Sequence, residues 1–170
     1  MIYFISDTHF YHSNIIKYCN RHFKDVNEMN ETIINNWNSI IKEDDTIYHL
    51  GDFCLSNDDE IKSIFNRLNG NKILIRGNHD RKPVKFYENI GFEVLTHAPI
   101  VLDEYKLMLS HVPLPDVKIK DGYINLHGHI HNKKISDDYP KNYSENKHIN
   151  LSVDSTDFKP VSLGEINKLR

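Results

Sequence analysis

Eleven of the 170 residues are histidine, and several of these stand just after short apolar runs rather than on polar faces. Five such places recur along the chain: Asp7-Thr8-His9, Gly51-Asp52, Gly77-Asn78-His79-Asp80, Ser110-His111 and Gly128-His129-Ile130-His131. Together they offer seven candidate metal ligands: Asp7, His9, Asp52, Asn78, His111, His129 and His131. A mixture of carboxylate, imidazole and one amide oxygen suits borderline divalent ions such as manganese, iron or zinc better than thiolate-seeking or all-oxygen sites do. Two ions about 3.5–4 Å apart can share one carboxylate, and Asp52 is the natural bridge.

Spacing favours convergence. In an extended segment, side chains two apart project to the same side, which pairs Asp7 with His9 and His129 with His131. Ligands in open α/β sheets gather beyond the carboxyl ends of strands, so five strand ends would deliver these groups to one edge. Gly51, Gly77 and Gly128 directly precede Asp52, Asn78 and His129, and a residue without Cβ lets the backbone turn sharply beside a ligand.

The elements that must do this positioning can be read from periodicity. Met1 to Ile5 is an apolar run ending at polar Ser6 and Asp7, and further strands are expected at 46–50, 72–75, 92–95, 100–102, 106–109, 123–126 and 149–153. Met29, Ile33, Trp37 and Ile40 form one helical stripe over 28–41, and Ile61, Ile64, Phe65 and Leu68 another over 59–68. Ser162 and Glu165 have capping-box spacing ahead of a short final helix. Strands alternating with helices, then strands joined by short connections, predict an α/β fold of two facing mixed β-sheets flanked by helices. Residues 132–147 lack periodicity and read as a long surface loop. Residues 1–170 are expected to form one domain with no cap domain.

Several neighbours of the candidate ligands invite a role. His12 could touch substrate or simply occupy a polar loop, the two readings being equally weighted. Asn14 and Arg21 could meet phosphate, but capping and solvating a helix is the favoured reading. Asp80 is expected to accept the free ring N–H of a ligand histidine in preference to capping the following turn. His49 and His127 read as supporting residues and Arg76 and Lys72 as charges marking a strand's ends, while His22, His97 and His148 carry no assigned role.

Bulk properties set the frame. A hydrophobic fraction of 39% with 26% charged residues predicts a packed soluble domain. The net charge of −3 supplies no global positive field to gather polyanions, so extended nucleic acid is not the expected partner. A phosphorylated small molecule is not excluded, because bound dications would reverse the local field. Cys19 and Cys54 lack CxxC spacing and are expected to be reduced thiols. With no apolar stretch near 18 residues and no leader pattern, a cytoplasmic protein without membrane contact is expected. The oligomeric state is not legible.

Taken in order, DxH, GD, GNHD, H and GHxH strongly resemble the calcineurin-like metallophosphoesterase superfamily. The likeness runs from Ser6 to His131, and stretches such as Asp7 to Ile16, Tyr48 to Asp52 and Tyr105 to Leu114 are similar to small bacterial and phage members. It implies one divalent ion held by Asp7, His9, Asp52 and His131, a second held by Asp52, Asn78, His111 and His129, and a catalytic role for His79 beside the bridging Asp52. Manganese is the first expectation, with iron, zinc, nickel or magnesium as alternatives. The implied activity is hydrolysis of a phosphate ester, a small phosphodiester or nucleotide first; a phosphomonoesterase, a nuclease and a non-catalytic binding scaffold are the rivals. The protein serine/threonine phosphatase branch has GDxxDRG, whereas here Gly51-Asp52 runs on as Phe53-Cys54-Leu55-Ser56, which argues against phosphoprotein as substrate.

Overall fold

The computed structural model describes residues 1–96, 99–135, 139 and 141–170. His97 lies outside the described residues, as do Ser136, Asp137, Asp138 and Pro140 of the expected surface loop. The elements run β1 (Ile2–Ile5), α1 (Ser13–Tyr18), α2 (Val26–Ile40), β2 (Thr46–His49), α3 (Asp58–Arg67), β3 (Asn71–Ile75), α4 (Val84–Ile90), β4 (Glu93–Leu95), β5 (Ile100–Leu102), β6 (Leu107–Leu109), β7 (Ile124–His127), β8 (His148–Asn150), β9 (Val161–Ser162) and α5 (Leu163–Ile166).

The two amphipathic helices start where a side chain can replace the missing helical acceptor. Asp25 accepts the Glu28 N–H ahead of α2, and Asn57 accepts the Glu60 N–H ahead of α3. The expected capping box forms at α5, where Ser162 accepts the Glu165 N–H and the Glu165 carboxylate accepts the Ser162 N–H. The expected strand 149–153 stops at Asn150, because Val153–Ser155 winds into a 3-10 turn.

Five strands form one sheet in the order β4-β3-β2-β1-β9 and four form a second in the order β5-β6-β7-β8. Both are mixed: β9 runs antiparallel to β1 and β5 antiparallel to β6, while the remaining pairs are parallel. Phe4, Leu50, Ile75, Leu107, Leu109, Leu126 and Leu151 pack together between the sheets. The other face of the first sheet, through Tyr3, Ile5, Ile47 and Leu74, packs on Met29, Ile33 and Trp37 of α2 and Ile61 and Ile64 of α3. On the second sheet, the alternate residues Met108 and Asn125 meet turn segments: Asn125 accepts the Leu114 N–H and Met108 Sδ the Lys120 N–H.

Register decides where the polar motifs emerge. Ile5 pairs with His49 and His49 with Leu74, so β1, β2 and β3 end nearly level; Leu109 pairs with Leu126, which aligns the ends of β6 and β7. At that same edge the sheets are laced together: Ser6 donates its N–H to Leu151 O at 2.9 Å and accepts the Val153 N–H at 3.0 Å.

Candidate metal centre

Asp7 and His9 follow β1, Asp52 follows β2, Asn78 follows β3, His111 follows β6, and His129 and His131 follow β7. All seven come together at the laced edge, in two clusters that share a member. Asp7 Oδ1 lies 3.9 Å from His9 Nε2 and 4.0 Å from His131 Nε2. Asn78 Oδ1 lies 3.0 Å from His111 Nε2 and 3.1 Å from His129 Nδ1, and those two nitrogens are 3.2 Å apart. Between the clusters stands Asp52 Oδ2, 3.5 Å from His9 Nε2 and 3.4 Å from His111 Nε2. Each cluster draws on both sheets.

The donor atoms fit a cation. Asp7 Oδ1 and His9 Nε2 are buried without any hydrogen-bond partner, which is costly unless something else satisfies them. The other Asp7 oxygen is spoken for, accepting from Ser152 Oγ and the His129 N–H, both at 2.9 Å. Asp7, His9 and His131, and separately Asp7, Asp52 and His111, gather ligand atoms within 4.8 Å of one another.

The backbone does not reach this arrangement in the expected way. Asp7, His9, Asp52, His129 and His131 have φ of +57°, +49°, +56°, +71° and +52°, so the paired ligands do not sit on extended chain. Left-handed residues at Asp7 and His9 fold the loop back on itself, and His129 and His131 turn toward different clusters. For residues other than glycine this conformation costs about 1 kcal/mol or more each and persists only where surrounding contacts impose it. Those contacts are present: Asp7 N–H donates to Gly51 O and His9 N–H to Asp52 O, each at 3.0 Å. The glycines act chiefly through space. A Cβ on Gly77 would lie 2.2 Å from Asp52 Oδ1, and one on Gly128 would lie 2.0 Å from Ser6 Oγ and 2.2 Å from Asp7 Oδ2.

Supporting residues differ from expectation at three places, Asp80, Arg21 and Arg76. Asp80 does not hold a histidine; it accepts the N–H groups of Asp52 (2.8 Å), Phe53 (3.0 Å) and Gly77 (2.8 Å), tying two ligand loops to each other. Burial dominates its titration, raising the carboxyl to about 6 despite these donors. Arg21 does not solvate a helix. It is buried, donates to the backbone oxygens of Asp7 (2.8 Å) and Thr8 (3.1 Å), and clamps Asp154 at 2.7 and 2.8 Å.

Asp154, which the sequence did not mark, accepts from His131 Nδ1 at 2.9 Å. That contact fixes the His131 tautomer and leaves Nε2 facing Asp7, as carboxylate partners of ligand histidines commonly do. The Leu50 carbonyl does the same for His111 Nδ1 at 2.8 Å. His49 is a supporting residue, as expected: its Nδ1 accepts the Gly51 N–H, its Nε2 meets Thr8 Oγ1 at 3.0 Å, and that hydroxyl donates to Phe53 O. His127, also buried, meets the Gly128 carbonyl through Nδ1 at 2.9 Å. Lys72 does mark a strand end, donating to the Leu68 and Gly70 carbonyls. Arg76 instead grips the carbonyls of Asp80 and Lys82, bracing the turn after Asn78.

His12 Nδ1 lies 3.3 Å from His9 Nδ1, and the His79 ring centroid is 5.4 Å from that of His9 and 6.0 Å from that of His12. His79 also donates its peptide N–H to Asp52 Oδ1 at 2.8 Å, which orients the shared carboxylate.

Charge is finely divided. Burial pushes the His9 imidazole down to about 2 and lowers His129, so both are neutral near pH 7. Burial also opposes protonation of His111 and His131, but contact with Asp52 and with Asp154 outweighs it and holds them at about 9 and about 10. Ligation requires neutral imidazole. Affinity of the metal-free protein for a divalent ion is therefore expected to climb from neutrality through pH 9 to 10 and then level off, with protons released on binding. Calorimetry in buffers of differing ionisation enthalpy reads both quantities, and a flat affinity between pH 7 and 9 would contradict the assignment. In the metal-free protein these raised values add stability that is complete below the unfolded value of 6.5 and is lost as pH rises through 9 to 10.

Two mixed sheets presenting such an edge of carboxylates and imidazoles are the hallmark of a metallophosphoesterase. A model of the family described as calcineurin-like phosphoesterase matches residues 1–163, and the chain belongs to that family, which uses divalent metals to hydrolyse phosphate esters. An uncharacterized protein of Methanocaldococcus jannaschii is 46% identical over 99% of this chain and 90% of its own length. The crystal structure of a protein of unknown function from Aquifex aeolicus, 34% identical, covers 100% of this chain and 99% of that one with a TM-score of 0.75. A nuclease from Pseudomonas putida shares the fold at 21% identity and a TM-score of 0.51, over 76% of this chain and 61% of that one.

Proposed function

We propose that this chain is a phosphoesterase working with two divalent ions, manganese first among them, on a small phosphodiester or nucleotide. The observation that carries the reading is the position of Asp52 Oδ2, within 3.5 Å of an imidazole nitrogen from each cluster. One ion would be held by Asp7, His9, Asp52 and His131, the other by Asp52, Asn78, His111 and His129. Bound there, such a pair supplies a nucleophile from water at neutral pH and positive charge opposite the phosphoryl oxygens.

The chain's own groups do the rest. Asp7 and Asp52 offset the positive charge from the buried side, while Asn78 contributes a neutral oxygen on the exposed side. Asp154, Leu50 and Arg21 keep the ligand nitrogens and loops aimed. His79, at the mouth, donates a proton to the departing oxygen. The domain reads as single and uncapped, with the site open at the strand ends. The two cysteines are free and buried, and among the described residues no helix is long and apolar enough to cross a membrane; a cytoplasmic setting belongs to the same proposal.

The test is metal analysis joined to a substrate panel. Protein reconstituted with Mn²⁺ is expected to hold two ions per chain and to turn over bis(p-nitrophenyl) phosphate faster than the monoester, a phosphoserine peptide or a single-stranded oligonucleotide. One ion per chain, or turnover of the peptide with none of the diester, would overturn it. Preference for the oligonucleotide would favour the nuclease reading, and two ions without turnover of any ester would favour the binding scaffold.

A further inference from the structure

The candidate ligands stand between two hollows. Beside Asn78 and His111 lies a cleft of about 500 Å³ walled by Val112, Pro113, Leu114 and Pro115, with Arg76 and Lys118 among its lining. Beside His9 and His131 lies one of about 300 Å³, bounded by His12, Ile15, Tyr18, Cys19 and His79. A phosphodiester has two substituents on its phosphorus, and a phosphate seated at the ligands would send one into each hollow. None of the seven ligands lines the groove of about 490 Å³ around Met1, Tyr3, Ile149 and Val161.

The smaller cleft has an unusual wall. Tyr18 closes α1 with 74% of its surface exposed, the one aromatic among the large apolar side chains exposed in the described residues. Its ring meets His12 edge-on at 6.2 Å, and His12 in turn lies 6.0 Å from His79, so a row of rings leads from solvent to the mouth of the site. Buried Ile15 and Cys19 contribute an apolar floor.

We propose that this cleft seats the leaving group of the substrate, and that this group carries a planar heteroaromatic ring of the nucleobase class stacked on Tyr18. The inference deepens the phosphodiester reading and rests on it. His79 selects the side, because a proton donor must stand next to the oxygen that departs. Volume selects the size: about 300 Å³ is the small end of ligand pockets, room for one nucleoside and not for a run of nucleotides. The exposed ring selects the chemistry, since every base has a face to stack on an aromatic side chain. Imidazoles and Asn132 along the wall can meet the heteroatoms at the base's edge, which an alkyl group would leave unpaired.

Adenosine 5′-monophosphate and ribose 5-phosphate share phosphate and sugar and differ only in the base. With Mn²⁺-loaded protein, calorimetry is expected to show the adenosine compound binding about tenfold or more tightly, the scale of one stacking contact. Tyr18→Phe should keep that preference and Tyr18→Ala should erase it, with the melting temperature unchanged because the side chain is exposed. Equal affinities for the two compounds, or a preference that survives Tyr18→Ala, would overturn the subsite. Affinity and hydrolysis are read in separate measurements, so the two readings fail separately. Hydrolysis of diesters with no base preference removes the subsite alone, and a Tyr18-dependent preference without hydrolysis of any ester removes the phosphoesterase alone.

Discussion

Asp52→Asn is expected to leave at most one tightly held ion per chain and to lower kcat/KM for a diester by about 10³ or more. The wild-type carboxylate has both oxygens committed: Oδ1 accepts the His79 N–H at 2.8 Å, and Oδ2 faces His9 and His111 at 3.5 and 3.4 Å. Asparagine can keep its oxygen on the peptide N–H only by turning its NH₂ toward the two imidazoles, putting a donor where both clusters need an acceptor. Two dications would also face each other with one negative charge fewer. Losing several kcal/mol of transition-state charge stabilisation corresponds to about 10³ in rate at about 4 kcal/mol. The loop itself should survive, because Asp80 still holds the backbone at 52 and 53. Metal content after reconstitution, kcat/KM and a thermal melt with chelator together check this. Two tightly held ions and normal activity in Asp52→Asn would show that the bridge lies elsewhere.

The second large effect is His79→Asn, with an expected loss of about 10² to 10⁴ in kcat/KM for a poor leaving group, the usual contribution of general acid catalysis. The change is selective, since the residue's peptide N–H still reaches Asp52. In the native chain the ring borders the cleft, and its Nδ1 is buried without a partner. An alkoxide needs a proton to depart, whereas nitrophenolate does not. The loss should therefore be much larger for an alkyl ester than for a nitrophenyl ester of the same phosphate, with metal content unchanged. Equal losses for the two esters would reduce His79 to a brace of the turn.

What the sequence revealed follows from where information is local. The seven candidate ligands each stand within a few residues of a buried strand's end, so an apolar run followed by a polar motif marked them without knowledge of the fold. The two-sheet architecture was legible for the same reason, strand after strand. Two elements gave no such signal: α4 is a short helix that buries only Tyr87, and β9 is two residues long, too short for any period, and is defined by pairing with β1. Asp154 was invisible because its partner His131 stands 23 positions earlier, and a lone carboxylate in a 3-10 turn has no pattern. Arg21, Arg76 and Asp80 were seen but misread. Their partners are backbone groups brought together by the fold, and for Arg21 the distant Asp154 as well, which side-chain spacing cannot reveal. The left-handed ligands escaped too, since Asp and His carry no mark of the φ that tertiary contacts impose on them.

That twisted backbone bears on how the protein can be changed. Asp7, His9, Asp52, His129 and His131 occupy a region of φ that glycine enters freely and asparagine tolerates. A selection for heat resistance alone would reward glycine or asparagine at these five positions, where glycine would discard a candidate donor atom and asparagine would replace a carboxylate or imidazole with a neutral amide. Thermostability and chemistry pull in opposite directions there. A library aimed at a sturdier variant should hold the five fixed and draw its gains from the helices behind the first sheet.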